Sequence, residues 1–280
     1  LFIAFAAALF AHETYFLLEV EPRWSALQAL VFFATLVVYN LDRLTGSSRE
    51  DDLEASERHR WIANRRGALW VAAGVAVVGT GASLLFVPFD VLIALVPLGV
   101  VSLAYSLPVL WGRAGPYRLK DIAGLKIFLI MFVWAGATGF LPAVEVFENP
   151  FRPDVAAIVV ERALFIFAIT LPFDIRDMEG DRASEIQTIP LVIGVARTRR
   201  LSLACMGLFA LVVLVHYGLT LDGWTPPLLA SAALTGAFLA QADADRGELY
   251  YVGKLDGMMA VQWGFVALWA WWRFGMTPVT

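Results

Sequence analysis

Apolar residues run along this chain in blocks of about twenty, broken by short polar segments and without the alternation of a half-buried strand. An α-helix needs about that length to cross a hydrocarbon core. Nine such blocks can be read, at 1–20, 24–44, 67–86, 88–111, 122–141, 156–173, 190–217, 225–241 and 257–275. The first is the weakest, because His12, Glu13 and Glu19 fall within it. The third and fourth are separated only by Val87-Pro88-Phe89-Asp90, where the proline breaks the helix. The pattern predicts an all-α, multi-pass integral membrane protein forming one unit over 1–280.

Composition agrees with this reading. The chain is 59% hydrophobic and 16% charged, against roughly 45–50% and 25% for soluble domains. The one cysteine, Cys205, lies in an apolar stretch and reads as a small buried hydrophobe, which excludes a disulfide framework. The chain opens in an apolar run at Leu1, so its true N-terminus is expected further upstream; no basic region or cleavage site marks a signal peptide.

Charge then orients the spans. Of the 21 Lys and Arg, all but Arg23, Arg152, Arg162 and Arg273 fall in or beside the loops after blocks two, four, six and eight. The positive-inside rule makes those loops cytoplasmic and places the N-terminus inside, in a cell inner or plasma membrane. The longest of them, 45–66, reads equally as an amphipathic cap or as a solvated loop.

The polar residues at that face carry the chemistry. The segment 171–194, LPFDIRDMEGDRASEIQTIPLVIG, sets Asp174, Asp177 and Asp181 at the end of block six. On a continuous helix these spacings put the three carboxylates within about 60° of one another. Oxygen ligands of one sign at a membrane boundary suit a divalent cation carrying a phosphorylated substrate. Arg176, Glu179 and Arg182 fall on other faces, where surface pairing is expected. Block two ends in VVYNLDRLTGSSREDD, where Asn40 and Asp42 could help hold a cation and Arg43 a phosphate oxygen. Sharing a ligand requires the helix to unwind there, because Asn40 and Asp42 point about 200° apart on an ideal helix. Between these clusters Tyr105, Ser106, Arg113, Arg118, Lys120 and Lys126 bring hydroxyls and cations to the same face. At least two of Arg113, Arg118 and Lys120 read as topology determinants. Lys126 is placed about a turn inside block five, where an unpaired charge costs several kcal/mol. His59 reads as an interfacial anchor beside Trp61, and Gln241, Asp243 and Asp245 as a helix end.

Together these features resemble the UbiA-type intramembrane prenyltransferase superfamily. The match is closest at Asp174-x-x-Asp177-x-x-x-Asp181, followed by Thr188, Pro190 and Gly194. The AYSLP segment from Ala104, with its downstream basic residues, is similar to the family's fourth-helix region. The first motif departs from the family pattern: Leu44 and Ser48 stand where aspartates would follow Asn40.

The resemblance implies nine helices around a central cavity, with the active site on the cytoplasmic side. It implies Mg2+ on Asp174, Asp177 and Asp181, assisted by Asn40 and Asp42. Lys126, Lys120 and Arg43 would neutralise a leaving diphosphate, with Tyr105, Arg118 and Arg182 also in the substrate site. The implied partners are a prenyl diphosphate, a hydrophobic acceptor and membrane lipid, and no nucleic acid. Tyr39, Tyr105, Phe128, Phe132, Trp134 and Phe173 are aromatic candidates to shield an allylic cation. Two alternatives remain. One is a related terpenoid enzyme, or a retired homologue that binds diphosphates without turnover. The other is a transporter, which would more often carry charges at midplane in broken helices.

Overall fold

The computed structural model describes residues 1–45, 66–112, 115–122, 124–183 and 186–275. Its long helices are α1 (Phe2–Leu17), α2 (Ala26–Thr45), α3 (Arg66–Leu84), α4 (Phe89–Ser106), α5 (Lys126–Val146) and α6 (Pro153–Arg176). Short helices α7 (Met178–Ala183) and α8 (Ile189–Ile193) lead to α9 (Val195–Tyr217), α10 (Thr225–Leu239) and α11 (Gly257–Phe274).

Five of these are long and apolar enough to cross a membrane: α3 from Gly67, α4, α5, α6 and α9. Phe2–Leu17, Ala26–Leu41 and Thr225–Leu239 are shorter apolar helices. The exposed side of α3, with Trp70, Val71, Val75 and Val78, is apolar, as a lipid-facing surface must be.

The helix ends follow local chemistry. Pro153 opens α6, where its missing N–H costs nothing. Gly194, at φ +83°, separates α8 from α9, so block seven is two helices rather than one. Block four is likewise shorter than expected: α4 ends at Ser106, and Leu110–Gly112 pairs antiparallel with Gly115–Tyr117 as a small hairpin. The fold therefore departs from all-α at this one connection among the described residues. Block five shifts with it, beginning at Lys126 and running to Val146. Within it Gly136–Phe140 is a π-turn.

The long helices pack in a closed sequence, α2 on α3 and α4, α4 on α5, α5 on α6, α6 on α9, then α10, α11 and α1. Helix α1 also meets the π-turn of α5 and is buried along nearly all its length. One apolar core joins Phe10, Phe165, Phe209, Trp224 and Val266; another joins Leu27, Leu30, Val91, Leu98 and Leu141.

Candidate active site

The aspartate segment is not one continuous helix. α6 ends at Arg176, Asp177 is its C-cap, and the chain restarts as α7. The break turns the three carboxylates into different settings. Asp174 and Asp181 are buried, whereas the Asp177 side chain is 37% exposed. Arg176 takes Asp177 in a two-pronged contact, Nε to Oδ1 at 2.7 Å and an Nη to Oδ2 at 3.0 Å. The surface pairing expected of Arg176 is therefore present, and it engages one of the proposed ligands. The same guanidinium lies over the rings of Phe173 and Tyr251.

Asp174 faces Lys126, whose Nζ lies 3.0 Å from Oδ1. Lys126 is the first residue of α5, not a turn inside it as the sequence placed it. Gly124, at φ +72°, turns the chain just before, and its N–H bonds the Gln187 carbonyl at 3.2 Å. The ammonium lies in the field of all three aspartates and of Tyr105, Asp174 acting most strongly. Its claim to a role thus rests on these partners rather than on its depth.

Burial pushes the Asp181 carboxyl up to about 6; Lys126 and Thr188 oppose the shift, and Asp174 and Asp177 add to it. Asp181 Oδ2 and Thr188 Oγ1 are buried without a hydrogen bond, whereas Asp174 Oδ1 has the Lys126 ammonium. A small pocket of about 10 Å³, the scale of one water, opens beside Asp174 and Thr188, lined also by Lys120, Ile122, Gly124, Lys126 and Gln187. Thr188 and Gln187 were absent from the sequence-derived site. Thr188 was visible as a motif position, but nothing in the sequence showed that its hydroxyl would be buried beside Asp181.

The remaining candidates divide. Lys120 lines the pocket and sits 5.6 Å from the Tyr105 ring centroid. Arg118 closes its own turn: its N–H and guanidinium bond Asp121 at 2.9 and 2.8 Å. Burial alone would raise the Asp121 carboxyl, but these bonds hold it below the usual range. Arg182 is exposed on α7. The Asn40 amide bonds back to the Leu36 carbonyl at 2.8 Å, within its own helix. The side chains of Asp42 and Arg43, Arg113, and the loop containing His59 lie outside the described residues. Phe128 and Phe132 are largely exposed, while Trp134 packs against both cores.

Among the described residues no three Asp, Glu, His or Cys side chains converge as a ready metal cage. Of the expected ligands, Asp177 is turned to Arg176 and Asn40 to its own backbone. Asp174 and Asp181 still fit a magnesium ion, which takes one or two carboxylates and completes its shell with phosphate oxygens and water.

The sequence matches no protein of curated function. In fold it is similar to a UbiA homolog from Archaeoglobus fulgidus solved with GPP and Mg2+, at TM-score 0.69 and 12% identity over 95% of this chain and 96% of the other. The same homolog with DMAPP and Mg2+ aligns at TM-score 0.64 and 10% identity over the same shares. A digeranylgeranylglyceryl phosphate synthase aligns at TM-score 0.57 and 13% identity, over 95% and 91%. The model of the UbiA prenyltransferase family matches residues 2–247. With the aspartate segment, the helical order and the matched length in agreement, the chain belongs to the UbiA prenyltransferase family.

Proposed function

We propose that this protein transfers a prenyl group from an isoprenoid diphosphate to a hydrophobic acceptor within the membrane. The observation that carries the reading is the Lys126–Asp174 pair beside Asp181 and Thr188, at a pocket with unspent polar capacity. Its support includes the diphosphates and Mg2+ bound by similarly folded proteins.

Asp174 and Asp181 would hold Mg2+, which when bound draws charge from the diphosphate oxygens. Lys126 and Lys120 would meet the oxygens that gain charge as the carbon–oxygen bond breaks. Asp177 would join once released by Arg176. Asn40, Asp42 and Arg43 would act from α2, while Tyr105, Arg118 and Arg182 remain substrate-site assignments from the resemblance. The apolar bundle would keep water from the allylic cation. We place this end of the bundle, and the N-terminus, on the cytoplasmic side because 17 of the 21 basic residues fall in or beside the loops after blocks two, four, six and eight of the sequence.

A second reading, diphosphate binding without turnover, is favoured by Asn40 being bonded to its own helix and by Leu44 and Ser48 in the first motif. Purified full-length protein, labelled geranyl, farnesyl and geranylgeranyl diphosphates and a panel of acceptors separate the two. Transfer requires magnesium-dependent binding and a prenylated product; the retired reading gives the binding alone. Absent binding, or binding untouched by Asp174→Asn, defeats both.

A further inference from the structure

A second set of buried charges lies in the bundle, on α1, α9 and α11 and on α6 more than three turns before Asp174. Glu13 of α1 and Arg162 of α6 form an ion pair at 3.1 Å, with side chains 0% and 2% exposed. Gln262 of α11 donates to Glu13 at 3.1 Å, and Ser231 of α10 donates to Gln262 at 3.0 Å. Arg162 also donates to Thr14 at 3.3 Å and stacks 3.8 Å from the centroid of Phe10. Thr14 in turn donates to the Thr138 carbonyl in the π-turn of α5 at 2.6 Å. Gly139 leaves space for this arrangement, since a Cβ there would stand 3.2 Å from Arg162 Cγ. Beside it, Glu161 Oε1 meets His216 Nδ1 of α9 at 2.9 Å.

The charges do not balance without a proton. Glu13 and Glu161 bring two negative charges and Arg162 one positive. His12, also on α1, adds none, because its Nδ1 accepts the Trp263 indole N–H at 3.1 Å. Tyr217, stacked on His216, has its hydroxyl in the field of Glu161, Arg162, Glu13 and the exposed Glu19. Glu145 of α5 is taken by Tyr15. An isolated charge in the membrane interior costs several kcal/mol, so such sets reach neutrality by pairing or by protonation.

We propose that Glu161 and His216 bind one exchangeable proton, which neutralises the Glu13–Arg162 network. The imidazole–carboxylate contact supplies the place for it. Glu13 Oε2, Glu161 Oε2, Arg162 Nε and the Tyr217 hydroxyl are buried without a hydrogen bond, so the surroundings are polar enough to accept it. His216 and Tyr217 end α9, and Gly218 turns the chain there, so the proton can exchange through that end of the bundle.

The test uses the full-length protein in nanodiscs with 15N-labelled histidine, of which the chain has three. At pH 7 the expected result is either a doubly protonated His216 ring or a protonated-carboxyl infrared band that Glu161→Gln removes. If the ring is neutral and no such band exists, the proposal is overturned. The histidine readout does not depend on a variant folding. A second measurement follows thermal unfolding between pH 6 and pH 9. Loss of the proton should lower the midpoint by roughly 5 °C in the unaltered protein. The midpoint of Glu161→Gln, neutral without the proton, should fall less over the same range, by about that 5 °C. Equal slopes in both, or a sodium dependence in place of the pH dependence, would also overturn the site.

Discussion

Two ion pairs of nearly equal length lie in this bundle, Lys126–Asp174 at 3.0 Å and Arg162–Glu13 at 3.1 Å, and they are built for different ends. Lys126 is a single ammonium among three aspartates, its side chain 24% exposed at the rim of a pocket. Arg162 is enclosed, and its planar fork meets Glu13, Thr14 and the Phe10 ring together. The first arrangement can exchange partners when a ligand arrives. The second ties α1 to α6 and, through Gln262, Ser231 and Thr138, to α11, α10 and α5. Distance alone does not separate a site from a structural tie; access and unspent polar capacity do.

The largest effect should come from breaking the enclosed pair. Arg162→Met leaves Glu13 without its cation in a site closed to water, a loss of about 3–5 kcal/mol. Thermal unfolding should show a large drop in midpoint and yield should fall, while the molecules that do fold bind prenyl diphosphate normally. Normal stability would mean that the tie contributes little and the contrast is wrong.

Lys126→Met sharpens the other side of the comparison. The ammonium competes with a metal ion for Asp174 but attracts a diphosphate. Removing it should therefore tighten Mg2+ alone by about tenfold and weaken prenyl diphosphate by about tenfold or more, each near 1.4 kcal/mol. Calorimetric titration with each ligand reads the two signs separately. A change in the same direction for both would show that Lys126 acts only as a structural partner of Asp174.

Much of the fold was legible in the sequence, because apolar blocks and proline or glycine breaks set helix positions locally. The hairpin at 110–117 was hidden because its Leu-Trp-Gly strand continues block four without a change in hydropathy. At the candidate site the sequence supplied Asp174, Asp181 and Lys126. It could not show that Asp177, one residue past the helix end, would turn to its neighbour Arg176. Glu13 and Arg162 were missed for a different reason. Each looked like a blemish in its own apolar block, and only the packing of α1 on α6 explains either of them.

A smaller effect concerns pH. Asp181 titrates at about 6 in the fold, above its ordinary value of 3.8. Its contribution to stability is thus fully present below about 3.8 and is lost as pH rises through about 6, where the buried carboxylate becomes a cost that a cation offsets. Magnesium should therefore raise the unfolding midpoint more at pH 7.5 than at pH 5.5, by a few degrees. Asp181→Asn should remove the difference. An equal shift at both pH values would take Asp181 out of the cation site.

The smallest effect is expected at Arg182, where sequence and structure part. The resemblance puts its guanidinium on the substrate, yet α7 carries it on the exposed side while Asp181, one residue earlier, is buried. A cation in open water is screened and gains little from a buried diphosphate. Arg182→Ala should therefore alter prenyl diphosphate affinity by less than about 0.5 kcal/mol, within twofold to threefold. Charge-reversed Arg182→Glu should do little more at physiological salt. A tenfold loss in both variants, vanishing at high salt, would mean that α7 rotates on binding and brings Arg182 over the pocket. The short helix beyond Asp177 would then belong to the moving part of the site, and Arg176, which now holds Asp177 at the break, would mark where that motion begins.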